Sequence, residues 1–254
     1  MIKGDPDLIP RNALLGVTVG ISVSNSADLG RLGLDERHAN LAVGEIARAV
    51  LIAGGTIAYG GRLRPSGFTQ QLMNEVGRFG VTRHSLTLCL ALPEHVGMSH
   101  DDLTEVDRQL GTWGKLVTLD ANGQPTRWQD RLPSVRAPLS DEERVAAYSG
   151  LRRYMTEITD ARVLVGGQLR GFKGAMPGVI EEATLAIERG QPVYLAGGFG
   201  GAAAAVARRL RAGPFDWLPA GLPEGEDDDT VQEALAQMES LAVEQGWSVT
   251  NDGL

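Results

Sequence analysis

Three short apolar runs in this chain end alike. TIAYGG stops at Gly60-Gly61, ARVLVGG at Gly166-Gly167 and PVYLAGG at Gly197-Gly198. Their interiors are apolar at almost every position rather than at every second one, so strands made of them need cover on both faces. Each is followed by a stretch with helical spacing. Short, fully apolar strands alternating with helices call for a doubly wound, mostly parallel α/β sheet with helices on both faces.

The remaining segments fit that scheme. GVTVGISVS (16–24) and HSLTLCLAL (84–92) are further strands, rich in β-branched and apolar residues. ERHANLAVGEIARAVLIAGG (36–55) places Leu41, Val43, Ile46, Val50 and Leu51 near helical spacing and stops at Gly54-Gly55. SGFTQQLMNEVGRFG (66–80) and HDDLTEVDRQL (100–110) read as helices. KLVTLDANGQPTRWQD (115–130) reads as two strands about an Asn122-Gly123 turn. Ser140, with Glu143 three residues on, opens a helix over 140–159 as a capping box. Helices are also expected over 177–190, 201–212 and 230–245. The expected organisation is one domain over 1–254. It has a small hairpin-bearing insertion at 93–139 and a C-terminal extension at 213–254 carrying one helix. The EGEDDD run before that helix reads as a solvated loop with acidic charge at a helix start.

In such a sheet the carboxyl ends of all parallel strands share one edge, and ligands bind in the crevice outside it. Glycines there let a ligand reach the backbone. Candidate ligand residues are therefore Gly60, Gly61, Gly166, Gly167, Gly197 and Gly198. After Gly166-Gly167 the loop QLRGFKGAM leads to Pro177, which suits a first helical turn. Gly171, Gly174 and Gly178 leave room in it. Arg170 and Lys173 supply positive charge beside a helix N-terminus, an anion-binding arrangement. Arg62 and Arg64 add charge after the first glycine pair. Ser22, Ser24 and Asn25 follow the first strand and offer hydrogen bonds to a ribose or phosphate. Glu181 and Glu182 begin the next helix. Their expected roles are to offset the helix dipole, or to accept hydrogen bonds from sugar hydroxyls.

Several classes are disfavoured. A net charge of −8 repels a nucleic-acid backbone. No apolar run approaches the roughly 20 residues that span a bilayer, and the start lacks a signal-peptide pattern. One cysteine, Cys89, allows no internal disulfide. A cytoplasmic protein is expected. No G-x-G-x-x-G follows the first strand, and neither a P-loop nor a G-x-S-x-G is present. His38, His84, His95 and His100 show no metal-ligand spacing, so no metal site and no required cofactor are expected.

The stretches VTVGISVSNSADLGRLGL, TIAYGGRLRPSGFTQQLM, VLVGGQLRGFKGAMPGVIEEA and PVYLAGGFGGAAA resemble the SLOG superfamily, the SMF/DprA–LOG group. They are most similar to prokaryotic relatives of the TRPM ligand-sensing domain. The resemblance implies a Rossmann-like fold and a nucleotide-derived ligand at the strand ends. In sensors of the group that ligand is an NAD-derived signal such as ADP-ribose, in some cases in antiphage defence. By position it implies ligand contacts from Gly60, Gly61, Arg62, Gly166, Gly167, Arg170, Gly171, Gly178 and Glu182. LOG-type phosphoribohydrolases carry P-G-G-x-G-T-x-x-E. Here MPGVIEE keeps Pro177-Gly178 and a glutamate and lacks the G-x-G-T part.

Three functions are compatible with these residues. One is a sensor that acts through a separate effector protein. Another is an N-glycosidic hydrolase or ribosyltransferase using Glu181 or Glu182 as its catalytic carboxylate. The third is a scaffold whose glycines only make turns. A homo-oligomer is expected on family grounds.

Overall fold

The computed structural model describes residues 10–63, 67–80, 84–130, 138–211, 216 and 218–247. The chain runs β1 (Thr18–Ser24), α1 (Glu36–Ile52), β2 (Thr56–Gly60), α2 (Phe68–Phe79), β3 (Leu86–Leu90), the single turn α3 (Leu92–His95), α4 (His100–Leu110), β4 (Gly114–Leu119) and β5 (Pro125–Thr126). It continues with α5 (Asp141–Glu157), β6 (Ala161–Gly166), α6 (Gly178–Glu188), β7 (Val193–Ala196), α7 (Gly201–Arg209) and α8 (Asp229–Glu244).

The seven strands form one sheet in the order β5-β4-β3-β2-β1-β6-β7. Every pairing is parallel except β4 with β5. This is a Rossmann-like α/β fold. Strand order grows outward from β1 on one side through β2, β3 and β4, then restarts on the other side with β6. The reversal lies between β1 and β6, where Ser22 pairs in register with Leu164 and Ser24 with Gly166. Crevices in open parallel sheets form at such a reversal.

The strand pleat divides the core. Val19 and Ile21 of β1, Ile57 and Tyr59 of β2, and Leu86, Leu88 and Leu90 of β3 face α1, α2 and α4. On the other face Ala58, Cys89 and Val117 meet α5, while Leu164 meets α6, α7 and α8. Cys89 is fully buried, and its thiol is pushed up to about 12, chiefly by desolvation.

Helix starts follow local chemistry. Asp35, Ser99 and Ser140 form capping boxes with His38, Asp102 and Glu143. Within α1 the structure buries Val43, Val50 and Leu51 but leaves Leu41 63% exposed. Leu41 lies two residues before Val43, about 200° around the helix, so the two cannot share a face. The 93–139 stretch, read as a hairpin-bearing insertion, does carry the β4–β5 hairpin. Its β4 also extends the parallel sheet beside β3, and the two-residue β5 covers that edge.

Candidate functional site

A cavity of about 460 Å³ opens at the carboxyl ends of β1 and β2. Val23, Ser24 and Asn25 come to it from β1 and its loop, and Glu36 and Asn40 from the start of α1. Tyr59, Gly60, Gly61 and Arg62 close β2, and Gly67 and Phe68 open α2. The remaining wall is Glu94 of α3, Tyr148, Leu151 and Arg152 of α5, and Gln168, Phe172 and Lys173 after β6. Gly178, Val179 and Glu182 complete it from α6.

Two helix N-termini meet at this cavity without a side-chain cap, α2 at Gly67 and α6 at Pro177. Their first amides are donors with no partner inside their own helices. Two other N-termini, those of α1 and α7, are occupied by carboxylates. Asp35 caps α1. Asp28, 1% exposed, accepts from the Gly201 amide at the head of α7 at 2.6 Å and from the Glu224 amide at 2.8 Å.

Among the described residues three cations and three carboxylates line the cavity. Arg62 Nε lies 3.3 Å from Glu94 Oε1. Lys173 Nζ stands 3.8 Å from the same oxygen and over the Tyr148 ring. The Tyr148 hydroxyl donates to Glu94 Oε1 at 2.5 Å. Arg152 pairs with Glu181 and lies across the start of α6, where a Cβ on Gly178 would meet its Nη2 at 2.5 Å. Glu36 accepts from the Asn25 side-chain amide. Glu182 receives Arg162 Nη1 at 3.3 Å. Arg162 has no exposure and also bonds Thr156 Oγ1 at 2.9 Å and Ser22 Oγ at 3.4 Å. Gly20 makes room for it, since a Cβ there would sit 3.2 Å from the guanidinium carbon.

Burial sets the protonation of the floor. Desolvation pushes the Glu182 carboxyl above its ordinary value, against the pull of Arg162 and Arg152. Tyr59 and Tyr148 are both held as phenols by burial, with nearby carboxylates adding to the effect.

The residues singled out from the sequence fall into distinct places. Ser24, Asn25, Gly60, Gly61, Arg62, Lys173, Gly178 and Glu182 line the cavity. Ser22 lies beneath it, bonded to Arg162. Gly166 and Gly167 turn the chain at φ of 60° and 102°. A Cβ on Gly167 would strike Ala202 of α7 at 2.9 Å. Gly197 and Gly198 form a single 3-10 turn outside the cavity wall. Arg170 points away and pairs with Glu224 and Asp227, beside Gly171. Gly174 packs on Arg152, and Glu181 is that arginine's partner. Arg64 lies outside the described residues. His95 is buried, its Nε2 2.9 Å from the Leu119 carbonyl. Among the described residues no group of three or more His, Cys, Asp or Glu side chains could hold a metal ion.

Glu36, Glu94, Tyr148, Arg152 and Arg162 were not singled out from the sequence. Glu94 sits in the stretch read as an insertion and the others in segments whose local pattern specifies only a helix or strand, and the side-chain partners of Glu94, Tyr148 and Arg152 lie 25 or more residues away. Arg162 alone carried a signal, a charge inside the apolar run ARVLV.

A family model described as SLOG cluster2 matches residues 13–243. The chain belongs to the SLOG family. The match takes in every residue of the cavity wall of this SLOG protein, from Val23 to Glu182. No curated protein matches the chain. Among the described residues no helix is long and apolar enough to cross a membrane.

Proposed function

We propose that this SLOG protein binds a nucleotide-derived ligand, of the ADP-ribose or related NAD-derived class, in the cavity at the β1 and β2 ends. One observation carries the reading. Two helix N-termini that lack side-chain caps, those of α2 and α6, converge on the same cavity as Arg62, Arg152 and Lys173. Backbone amides and guanidinium groups together suit phosphate oxygens. Phe68 and Phe172 offer flat apolar surface for a base, and Glu36 offers an acceptor for sugar hydroxyls. A sensor of this kind would pass its signal to a separate effector protein.

A second reading has its own support. Glu182 reaches the cavity from α6 with its carboxyl raised by burial. A carboxyl that keeps its proton can act as a general acid on a glycosidic bond. N-glycosidic hydrolysis or ribosyl transfer is the reaction class that would use it.

One experiment separates the two. The protein is heated with ADP-ribose, its cyclic isomers, NAD, AMP, IMP or nucleosides, and each mixture is then read by mass spectrometry. A stabilising nucleotide recovered intact supports a sensor. Recovery as free base and ribose phosphate, lost in Glu182→Gln, supports the hydrolase. No stabilisation by any of these ligands refutes both.

A further inference from the structure

Tyr148 donates to Glu94 Oε1 at 2.5 Å, and Arg62 Nε and Lys173 Nζ stand as charges 3.3 and 3.8 Å from the same oxygen, the lysine donating to the Tyr148 hydroxyl at 3.3 Å. The three groups come from three elements, α5, the loop after β2 and the loop after β6. All four side chains line the cavity. One hydroxyl donor and two cations from separate segments surround a single carboxylate, so positive charge exceeds negative at this spot. The three groups match the several oxygens and the −1.5 to −2 charge that roughly describe a phosphate monoester near pH 7.

Glu94 is presented from a fixed base. Its turn, α3, is held by the His95–Leu119 contact and by Leu92 in a small apolar cluster with Leu139 and Ala147. The carboxylate can therefore leave its three partners by side-chain rotation alone, without moving the backbone. Burial and the Glu94 carboxylate keep Tyr148 protonated and able to donate.

We propose that Arg62, Tyr148 and Lys173 form the subsite for the terminal phosphate of the ligand, and that Glu94 is an internal stand-in which that phosphate displaces. The inference names the ligand class for the cavity described under the proposed function and rests on that reading for the nucleoside part only. Its consequence is selection by charge. A dianionic phosphate can outcompete the carboxylate for these donors, whereas an uncharged nucleoside cannot. Glu94 thus lowers the affinity of ligands that must displace it, and a nucleoside that leaves the subsite to Glu94 is unaffected.

The test uses inorganic phosphate and AMP as probes, with adenosine as the uncharged control. Binding is measured by calorimetry and thermal shift on the full chain, on Glu94→Gln, on Glu94→Ala and on Glu94→Gln combined with Arg62→Gln. The expected result is phosphate and AMP bound about tenfold more tightly by both single variants. That gain should disappear in the combined variant. Unchanged or weaker phosphate binding in both single variants overturns the inference. So does an absence of phosphate binding in all four proteins. If phosphate binds as expected but AMP and adenosine add nothing, the subsite stands and the nucleotide reading falls.

Discussion

Arg162 and Glu182 meet 3.3 Å apart beneath the cavity floor, the arginine with no exposed surface at all. Arg162 offsets part of the cost of burying the Glu182 carboxylate, so removing the arginine leaves that carboxylate uncompensated. Arg162→Met should therefore cost about 3–5 kcal/mol near neutral pH, measured by urea unfolding. The loss should shrink in Arg162→Met/Glu182→Gln, because the stranded carboxylate is gone. A double variant as unstable as the single one would show that Arg162 acts through Ser22 and Thr156 instead.

Glu182 alone makes a prediction about pH. Its carboxyl is raised above the ordinary 4.5 by desolvation, while Arg162, Arg152 and Ser22 oppose the shift and Glu181 adds to it. The folded protein then holds this proton more tightly than the unfolded chain. The associated stability is complete below the ordinary value and is lost as pH rises through the raised one. Wild type and Glu182→Gln should have equal stability in acid. Wild type should fall below the variant as pH climbs, as read from denaturation midpoints across pH. A gap opening in the other direction would mean that the arginines outweigh desolvation.

Gly150 of α5 touches the backbone of the β4–β5 turn. A Cβ there would lie 2.6 Å from the Gly123 amide nitrogen. Backbone cannot yield as a side-chain tip can, so Gly150→Ala must push α5 away from the hairpin. The expected cost is about 1–3 kcal/mol, seen as a lower melting temperature. Tyr148, Leu151 and Arg152 flank this glycine on α5, so nucleotide binding should weaken with it.

Asp28 joins three segments that are distant in sequence, the loop after β1, the head of α7 and the amide of Glu224. Asp28→Ala strands two donors and should cost about 1–3 kcal/mol. Hydrogen exchange should rise at Gly201 and Glu224 before it rises in the sheet. Uniform exchange throughout would argue against this local role.

These residues also show where the sequence was readable. Ser140 with Glu143 announced α5 because both partners of the capping box lie within one helical turn. The sheet was legible for a similar reason, since unbroken apolar runs dictate two-sided cover wherever they occur. The site was legible only in part. The three Gly-Gly pairs look alike because each answers the same local need to turn. What lies beyond the turn is set by packing. Gly60-Gly61 borders the cavity, Gly166-Gly167 supports α7, and Gly197-Gly198 makes a short turn. Arg170 and Lys173 are three residues apart, yet one turns out to Glu224 and the other in to Glu94. Arg162 was visible as a charge inside an apolar run, but its role was not, because Ser22, one of its partners, lies 140 residues away.

The strand order carries a consequence for how the molecule comes into being. Thr18–Ser24 can pair with Thr56–Gly60 soon after both leave the ribosome, but the other side of β1 waits for Ala161–Gly166. Over that interval an apolar strand presents unpaired backbone groups on one side, the condition under which nascent chains pair wrongly. Closing so long a loop is slow compared with forming a local hairpin. The pairing that closes this side of β1 is also the step that sets Arg162 beneath the cavity, so the floor of the site forms after the β1–β4 half of the sheet can pair.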